Sequence, residues 1–525
     1  MISDARAIAD GSLVECDVCI VGAGPAGITL ALELERTNLR IVVLAGGDLA
    51  PRAEHRTLNE GRITGAAYFP MEDCRIRALG GTTHAWGGWA RPMESSDFMP
   101  REWVPHSGWP IALLDLASDF EAAYRYCGVG PVACDSSKRA RHSAPRLFPL
   151  DDSPLREIFF HIAPVRFGER NLPPLRAARD LTVLLNAHAL KLVMASDARS
   201  VSSISCASQP ERRFAIRART VVLAAGGIEN PRLLLASRGQ CSKGVGNAHD
   251  LVGRYFGDHL HVPIGEIEIA DPSVAHFFQP HISANYRVRG GLALTEASRC
   301  EHRLLGSAIT LHNADDPHDL LSPPRWKGGY ESMMLLARSA LRGRLPDSPI
   351  WHTSRLIRHI DEAIALAYKR IRRPVARRLL IGLRAEQSPC AESRITLATD
   401  CDRFGMPMAD LHWRISKVDL QSITKTQRLI AASLCHERVY MYPRDGREGW
   451  SDKLQPGAHH MGTTRMHAEP THGVVDADCR VHGTTNLYVT GSSVFPTGGW
   501  VPPTLTIVAL AVRLARAIRA THSAG

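Results

Sequence analysis

The stretch CDVCIVGAGPAGITLALELERTNLRIVVLAGG, residues 16–47, decides the fold. Its VCIV reads as a buried strand, Gly22, Gly24 and Gly27 follow in G-x-G-x-x-G spacing, an apolar-periodic helix comes next, and RIVVL is a second strand. Each glycine has its own physical reason. Gly22 permits the tight turn, Gly24 lets the backbone approach a pyrophosphate, and Gly27 allows the helix to pack closely on the strand. The helix N-terminus then turns its partial positive charge toward the phosphates. Alone, such spacing is weak evidence; flanked by two strands it predicts dinucleotide binding. One element departs from the pattern. The second strand should end on an acid that grips a ribose, and Ala45 stands there instead; Asp48, three residues on, is the candidate substitute, failing which the ribose contacts are simply fewer.

Working outward, the unit recurs. ARTVVLAAGGIENPRLLLAS, residues 218–237, is again strand, glycine turn and helix. Near the C-terminus NLYVTG is a strand ending in glycine, and PTLTIVALAVRLARAI is a helix opened by proline and threonine, as helix N-termini prefer. Three units so far apart predict one nucleotide domain assembled from separated segments, with other segments inserted between them. The hairpin pattern of RITLATDCDRFGMPMADLHWRIS, with its DRFG turn, predicts two β-strands. The 330–380 region reads as helical and basic.

A chain of 525 residues exceeds the usual limit of one core, so two domains are expected. Apolar residues at 44% and charged residues at 22% describe an ordinary globular protein. The excess of 63 basic over 53 acidic residues is mild, and arginine-dense stretches such as KRIRRPVARRLL (369–380) lack aromatic interleaving. They read as solvated helix faces, so no nucleic-acid partner is expected, while weak contact with an acidic surface or membrane stays open. The twelve cysteines form no framework. Cys16 and Cys19 open an apolar strand rather than a helix, so they read as buried thiols of a reducing compartment. With no export signal and no apolar run long enough for a transmembrane segment, a cytoplasmic enzyme is expected.

In GAHHMGTTRMH, residues 457–467, three histidines crowd a glycine-flanked loop. Adjacent His459 and His460 diverge in an extended segment and no cysteine pair or second histidine cluster with zinc-finger spacing accompanies them, so no metal site is expected.

These motifs, in this order, resemble the glucose–methanol–choline (GMC) oxidoreductases over nearly the full length. They are VGAGPAG, LGGTTHAWGGWARP (79–92), SGWPI (107–111), VVLAAGGIENPRLLLAS, VGRYFGDHLH (252–261), AEQSPCAESRITL (385–397), HHMGTTRM and GSSVFPTGGWVPPTLTIVAL. The likeness is to the bacterial pyranose-oxidase-like and sugar dehydrogenase branch. It implies an α/β fold: a doubly wound, Rossmann-like FAD domain from residues 1–261 and 456–525, with some substrate-domain insertion around 95–175, and an α+β substrate domain with a large antiparallel sheet from 262–455. It assigns to FAD Gly22, Gly24, Pro25, Ala26, Gly27, Gly80, Gly81, Thr82, Thr83, His84, Trp86, Gly87, Ala225, Gly226, Gly491, Ser492, Pro503 and Thr504.

The resemblance places His459 of H-x-x-G-T over the reactive face of the flavin. Oxidising an alcohol removes the hydroxyl proton while a hydride leaves carbon for flavin N5, and a neutral imidazole suits the proton. His460 is expected to orient the loop or face substrate, and His467 to be peripheral. Two departures stand out. Relatives carry Asn or His just before the Pro-Thr of the last helix, where this chain has Pro502, which offers no side-chain donor or acceptor; Trp500, able to stack on a sugar-like ring, and the substrate domain are the candidates to fill in. Some relatives attach FAD through a histidine that would fall at Ala85; His84 is one residue early, so the flavin is expected to be non-covalent.

The implied activity is oxidation of a hydroxyl on a sugar, cyclitol or similar small molecule, with oxygen or another electron acceptor. The alternative raised by Pro502 is a flavoprotein with other chemistry, such as a lyase. A silent scaffold has no chemical need for the intact H-x-x-G-T loop.

Overall fold

In the computed structural model the two largest sheets differ in construction. The structure describes residues 1–130, 153–163, 166–269, 273–283, 285–313, 328–341, 343, 349–358, 360–361, 364, 378–434, 438–442 and 450–523. The first sheet has eight strands among these residues, six of them parallel: Ile2–Asp4, Leu181–Leu185, Ile41–Ala45, Ser12–Val21, Arg212–Leu223 and Leu487–Val489. Arg212–Leu223 pairs along its first half with Val201–Gln209, antiparallel, and along its last three residues with Leu487–Val489. His188–Met194 closes that edge.

Buried on both faces, the central strands are nearly continuous apolar runs, as parallel sheets require. Val18, Cys19, Ile20 and Val21 are all at most 6% exposed. Cys16 and Cys19 are buried free thiols, as read from the sequence. Helices Pro25–Leu34, Gly226–Ala236 and Thr504–Ser523 each follow a strand of this sheet, so three strand–turn–helix units converge from distant parts of the chain. Thr504–Ser523 buries Leu505, Thr506, Val508, Leu510, Val512 and Leu514, positions that run all round its first three turns, and Ala515 and Ile518 beyond them. At about 1.5–3 kcal/mol for each large side chain, this burial holds the helix within the core.

The second sheet has nine strands among the described residues, in the order Arg438–Met441, Leu260–Glu268, Arg378–Ala385, Ser307–Asn313, Tyr286–Leu294, Leu155–Ile162 and Trp89–Ala90, with His281–Ser283 and Gln455–Pro456 on side branches. Its pairings are antiparallel. The fold is thus a doubly wound α/β domain plus a large antiparallel sheet, the class expected. The hairpin is Arg394–Cys401 with Pro407–His412, and Gly61–Ile63 adds to it in parallel.

The basic 330–380 region needs correction. Gly328–Leu341 and Pro349–Arg358 are helices, but Arg378–Leu380 opens an interior strand of the antiparallel sheet. The apolar run that follows, Leu379 to Leu383, is buried and pulls these residues into the core. Residues 369–377 lie outside the described residues. No helix among the described residues is long and apolar enough to cross a membrane.

Candidate active site

A cavity of about 1440 Å³ is lined by both sheets. On the parallel side its wall is backbone. Gly22 takes a φ of +115°, and a Cβ there would lie 2.5 Å from the Ala224 carbonyl oxygen. At Gly27 a Cβ would lie 1.9 Å from the Gly22 carbonyl oxygen, so the helix can approach only as glycine. Gly24, Gly226 and Gly491 behave differently: a Cβ at any of them would meet nothing within 4 Å, and all three line the cavity. Three turns from three units thus leave open space at one place. The helices behind Gly24 and Ala225 have no side-chain cap, so their first-turn amides are left for an anionic ligand.

Where a ribose acid was expected, Ala45 and Gly46 line the cavity and Asp48 does not. The Asp48 carboxylate is taken up by Arg52 at 2.6 Å and by the Leu49 N–H at 2.6 Å. Asp48 as substitute is therefore corrected: its side chain is spent on its own loop. His188 and Arg77 line the cavity beside Gly46, and buried His188 Nδ1 has no hydrogen-bond partner among the described residues.

At the other end lies the histidine loop. Asp258, fully buried, accepts from the backbone N–H groups of His259, Ala458 and His459 at 2.7, 3.0 and 2.8 Å, and from the Tyr68 hydroxyl. That carboxylate holds the loop to the sheet; burial pushes its pKa up to about 6. His459 lines the cavity, and its Nδ1 lies 2.8 Å from His259 Nδ1. His259 Nε2 lies 3.0 Å from the Gly499 carbonyl oxygen.

The protons follow. A carbonyl only accepts, so His259 carries its proton on Nε2; burial holds His259 neutral, with a pKa lowered to about 3, leaving Nδ1 bare. Bare Nδ1 must accept from His459 Nδ1–H, and the lone pair of His459 is left on Nε2. Burial, then His259 and Arg384, hold His459 well below the ordinary histidine range.

His460 also lines the cavity, but its ring lies against Tyr68 and Phe256, its Nε2 is buried without a partner among the described residues, and its carbonyl accepts from Ser492 Oγ at 2.6 Å. His467 is absent from the cavity wall; its Nδ1 accepts from the Glu469 N–H.

The antiparallel sheet supplies side chains. His261 and Arg384 are cross-strand partners, and Arg384 Nε donates to His261 Nε2 at 3.1 Å. Arg289, Thr310 and His312 stand on neighbouring strands and line the same wall. Trp500 does not line it. Only 1% exposed, it is flanked by the Arg91 guanidinium 5.4 Å from its centre and by the edge of Phe160. The expectation that Trp500 stacks on a substrate ring is corrected on that ground: the ring is buried among protein groups and away from the cavity wall.

Residues 168–261 and 389–511 match the two GMC oxidoreductase family models, N-terminal and C-terminal. The chain is similar to 6'''-hydroxyparomomycin C oxidase of Streptomyces lividus, 26% identical with 97% of this chain and 92% of the relative covered. It is similar to the fructose dehydrogenase large subunit of Gluconobacter japonicus, 24% identical over 96% and 98%. Among solved structures, pyridoxine 4-oxidase from Mesorbium loti superimposes with a TM-score of 0.57 at 16% identity, covering 96% of this chain and 99% of that one; this likeness speaks to fold. The chain carries the N-terminal and C-terminal domains of the GMC oxidoreductases.

This protein is accordingly an FAD-dependent enzyme of the class acting on CH–OH groups. The open glycines and uncapped helix starts fit a flavin dinucleotide. Of the residues assigned to FAD from the sequence, Gly22, Gly24, Pro25, Ala26, Gly81, Thr82, Thr83, Trp86, Gly87, Ala225, Gly226, Gly491, Ser492, Pro503 and Thr504 line the cavity, as does Pro502. Gly27, Gly80 and His84 stand behind it. Gly80 N–H donates to the Ala23 carbonyl and ties the two glycine loops together, while His84 Nε2 lies 2.8 Å from the Leu79 carbonyl oxygen. His259, His261, Arg289, Arg384 and His188 escaped the sequence reading. The alternation in GDHLH, with His259 and His261 on one face, was the signal for the first two.

Proposed function

We propose that this enzyme oxidises a hydroxyl of a polyhydroxylated small molecule to a carbonyl, with His459 Nε2 as the base. The observation that carries this is the chain Gly499 carbonyl, His259, His459, which leaves the lone pair of His459 on the nitrogen not bonded to protein. Bound FAD supplies the hydride acceptor. Gly22, Gly24, Pro25 and Ala26 hold its pyrophosphate, and His188 Nδ1 takes the ribose contact that Ala45 cannot make. His84, engaged with the Leu79 carbonyl, leaves the flavin non-covalent.

The place of the absent Asn or His at Pro502 is taken from the opposite sheet. Because His261 Nε2 accepts from Arg384, and burial keeps its pKa well below the usual value, His261 carries its proton on Nδ1 and donates to the substrate oxygen. His459 receives the hydroxyl proton, His261 orients the oxygen, and Asp258 holds the loop on which both geometries depend.

The test is the visible spectrum of the anaerobic holoenzyme before and after sugars, cyclitols and simple alcohols. One class should bleach the flavin, and His459→Ala should slow bleaching by ~10²–10⁴ at unchanged flavin content. Bleaching at the wild-type rate in that variant would remove His459 as base.

A further inference from the structure

Exposed apolar side chains are clustered in this protein. Of the twelve large ones among the described residues, five fall between 341 and 364: Leu341, Ile350, Ile357, Ile360 and Ile364. An isolated exposed leucine is ordinary on any surface, whereas a contiguous apolar group marks a place of contact. Here the group has helical order. Ile350 and Ile357 stand two turns apart on one side of helix Pro349–Arg358, and Ile360 and Ile364, in helical residues beyond it, continue that side. Exposure along this stripe runs from 51% at Ile360 to 85% at Ile350. His352, off the stripe, turns instead to the neighbouring helix Gly328–Leu341, its Nδ1 3.2 Å from Ser332 Oγ. A helix that gives a histidine to its own protein and four isoleucines to the outside is built to meet something else.

The charge around the stripe is one-sided. From 328 to 373 the sequence has nine Lys and Arg against four Asp and Glu, so half of the chain's surplus of ten falls in this one segment. Arg358, which closes the helix, is exposed. The two properties together select the occupant. A second copy would set the same positive surplus against itself, which repulsion opposes. An acidic protein would answer the charge but would also have to offer an apolar strip shaped to four isoleucines. The boundary layer of an anionic bilayer supplies both without such a match: apolar depth for the isoleucines and phosphates for the arginines.

We propose that this helical segment docks the enzyme on an anionic lipid surface, with Ile350, Ile357, Ile360 and Ile364 lying in the headgroup boundary. The segment lies on the bilayer and does not span it; no helix among the described residues is long and apolar enough to cross. The docked face adjoins the entrance to the cavity. Asp361, next to Ile360, lines the cavity and is exposed, as are Pro280 and Arg287. Ile282, exposed as well, is the cross-strand partner of Arg287. Docking by the stripe therefore sets the rim of the cavity against the headgroups, and what enters the cavity does so at the lipid surface. This surface goes beyond the proposed oxidation and does not depend on it.

The test is co-sedimentation of the full-length holoenzyme with two kinds of vesicle, one of phosphatidylcholine alone and one with about a third phosphatidylglycerol. Partition onto the anionic vesicles should exceed that onto the neutral ones by at least about tenfold, and added salt should weaken it. The double variant Ile350→Asn, Ile357→Asn keeps every charge and removes two apolar contacts. It should lose at least about tenfold in partition, with its flavin content unchanged. Ile364→Asn, further along the stripe, should shift partition in the same direction by a smaller factor. Equal partition onto the two kinds of vesicle, binding to neither, or a double variant that binds as the wild type does would each overturn the proposal. So would a dimer in solution that the double variant turns into a monomer while the vesicles stay bare, since the stripe would then belong to a second copy.

Discussion

The two walls of the cavity are built from different materials. The wall on the parallel sheet is main chain: glycine turns, uncapped helix starts and the small residues between them. The wall on the antiparallel sheet is side chain: His261, Arg289, Thr310, His312 and Arg384, each presented by a different position on four strands. Backbone recognises what every flavin dinucleotide shares, namely phosphates and a flat ring. Side chains recognise what differs between substrates. The first wall tolerates little substitution and the second invites it.

The hardest break in this comparison is on the backbone side. Gly27→Ala would place a methyl 1.9 Å from the Gly22 carbonyl oxygen, both atoms fixed by the strand and helix they belong to. Helix Pro25–Leu34 must then move away from Ser12–Val21, and the turn that faces the phosphates moves with it. Flavin retained after purification, read from the ratio of visible to ultraviolet absorbance, should fall more than about tenfold, beyond ~1.4 kcal/mol. Full flavin content in this variant would mean that the turn is softer than its packing implies.

That contrast also explains what could be read from the sequence. The three strand–turn–helix units are local: a strand of apolar residues, a glycine and a helix start sit within about twenty residues, where periodicity is informative. The substrate wall joins positions 261, 289, 310, 312 and 384, and no spacing in the chain announces that His261 faces Arg384 across a strand pair. Arg384 was hidden further by its company. It follows KRIRRPVARRLL, where arginine after arginine reads as solvated surface, yet burial of Leu379 to Leu383 turns the end of that run inward. Trp500 misled in the opposite sense, since an aromatic beside the last helix looks like a ring platform until Arg91 and Phe160 are found around it.

A second break lies where the two walls meet. Asp258 accepts from three backbone N–H groups while it is a carboxylate, and protonation removes part of that capacity. With its pKa pushed up to about 6 by burial, Asp258 is a carboxylic acid below that pH; the raised pKa means that protonation does not release the loop, but it turns one oxygen from acceptor to donor and re-aims the bonds that set His459. His459 cannot cause a limb there, because its own pKa lies well below the ordinary 6.5. The bleaching rate should therefore be level from neutral pH down to roughly 6 and fall below it. Asp258→Asn should be slower throughout, by about tenfold for the loss of charge-assisted bonds, and level across the same range. An inflection that persists in Asp258→Asn would assign the limb to another group.

The smallest effect sharpens the comparison most, because it concerns the one place where the backbone wall borrows side chains. Position 45 is alanine, so the acid that would hold a ribose is missing, and two residues nearby make opposite predictions. Asp48 is bound to Arg52 and to its own loop, outside the cavity; Asp48→Asn should change the dissociation constant for FAD less than about twofold, as expected for a partly exposed ion pair. His188 lines the cavity with Nδ1 buried and, among the described residues, unpartnered beside Gly46, an arrangement that gains only when a ligand supplies the missing hydrogen bond. His188→Leu should raise the FAD dissociation constant about three- to tenfold, the worth of one such bond at ~0.5–1.5 kcal/mol. Fluorescence quenching of added FAD by the stripped protein measures both variants on one scale. If Asp48→Asn proved the weaker binder of the two, the ribose contact would belong to the loop after all, and its Arg52 pairing would have to open when FAD binds.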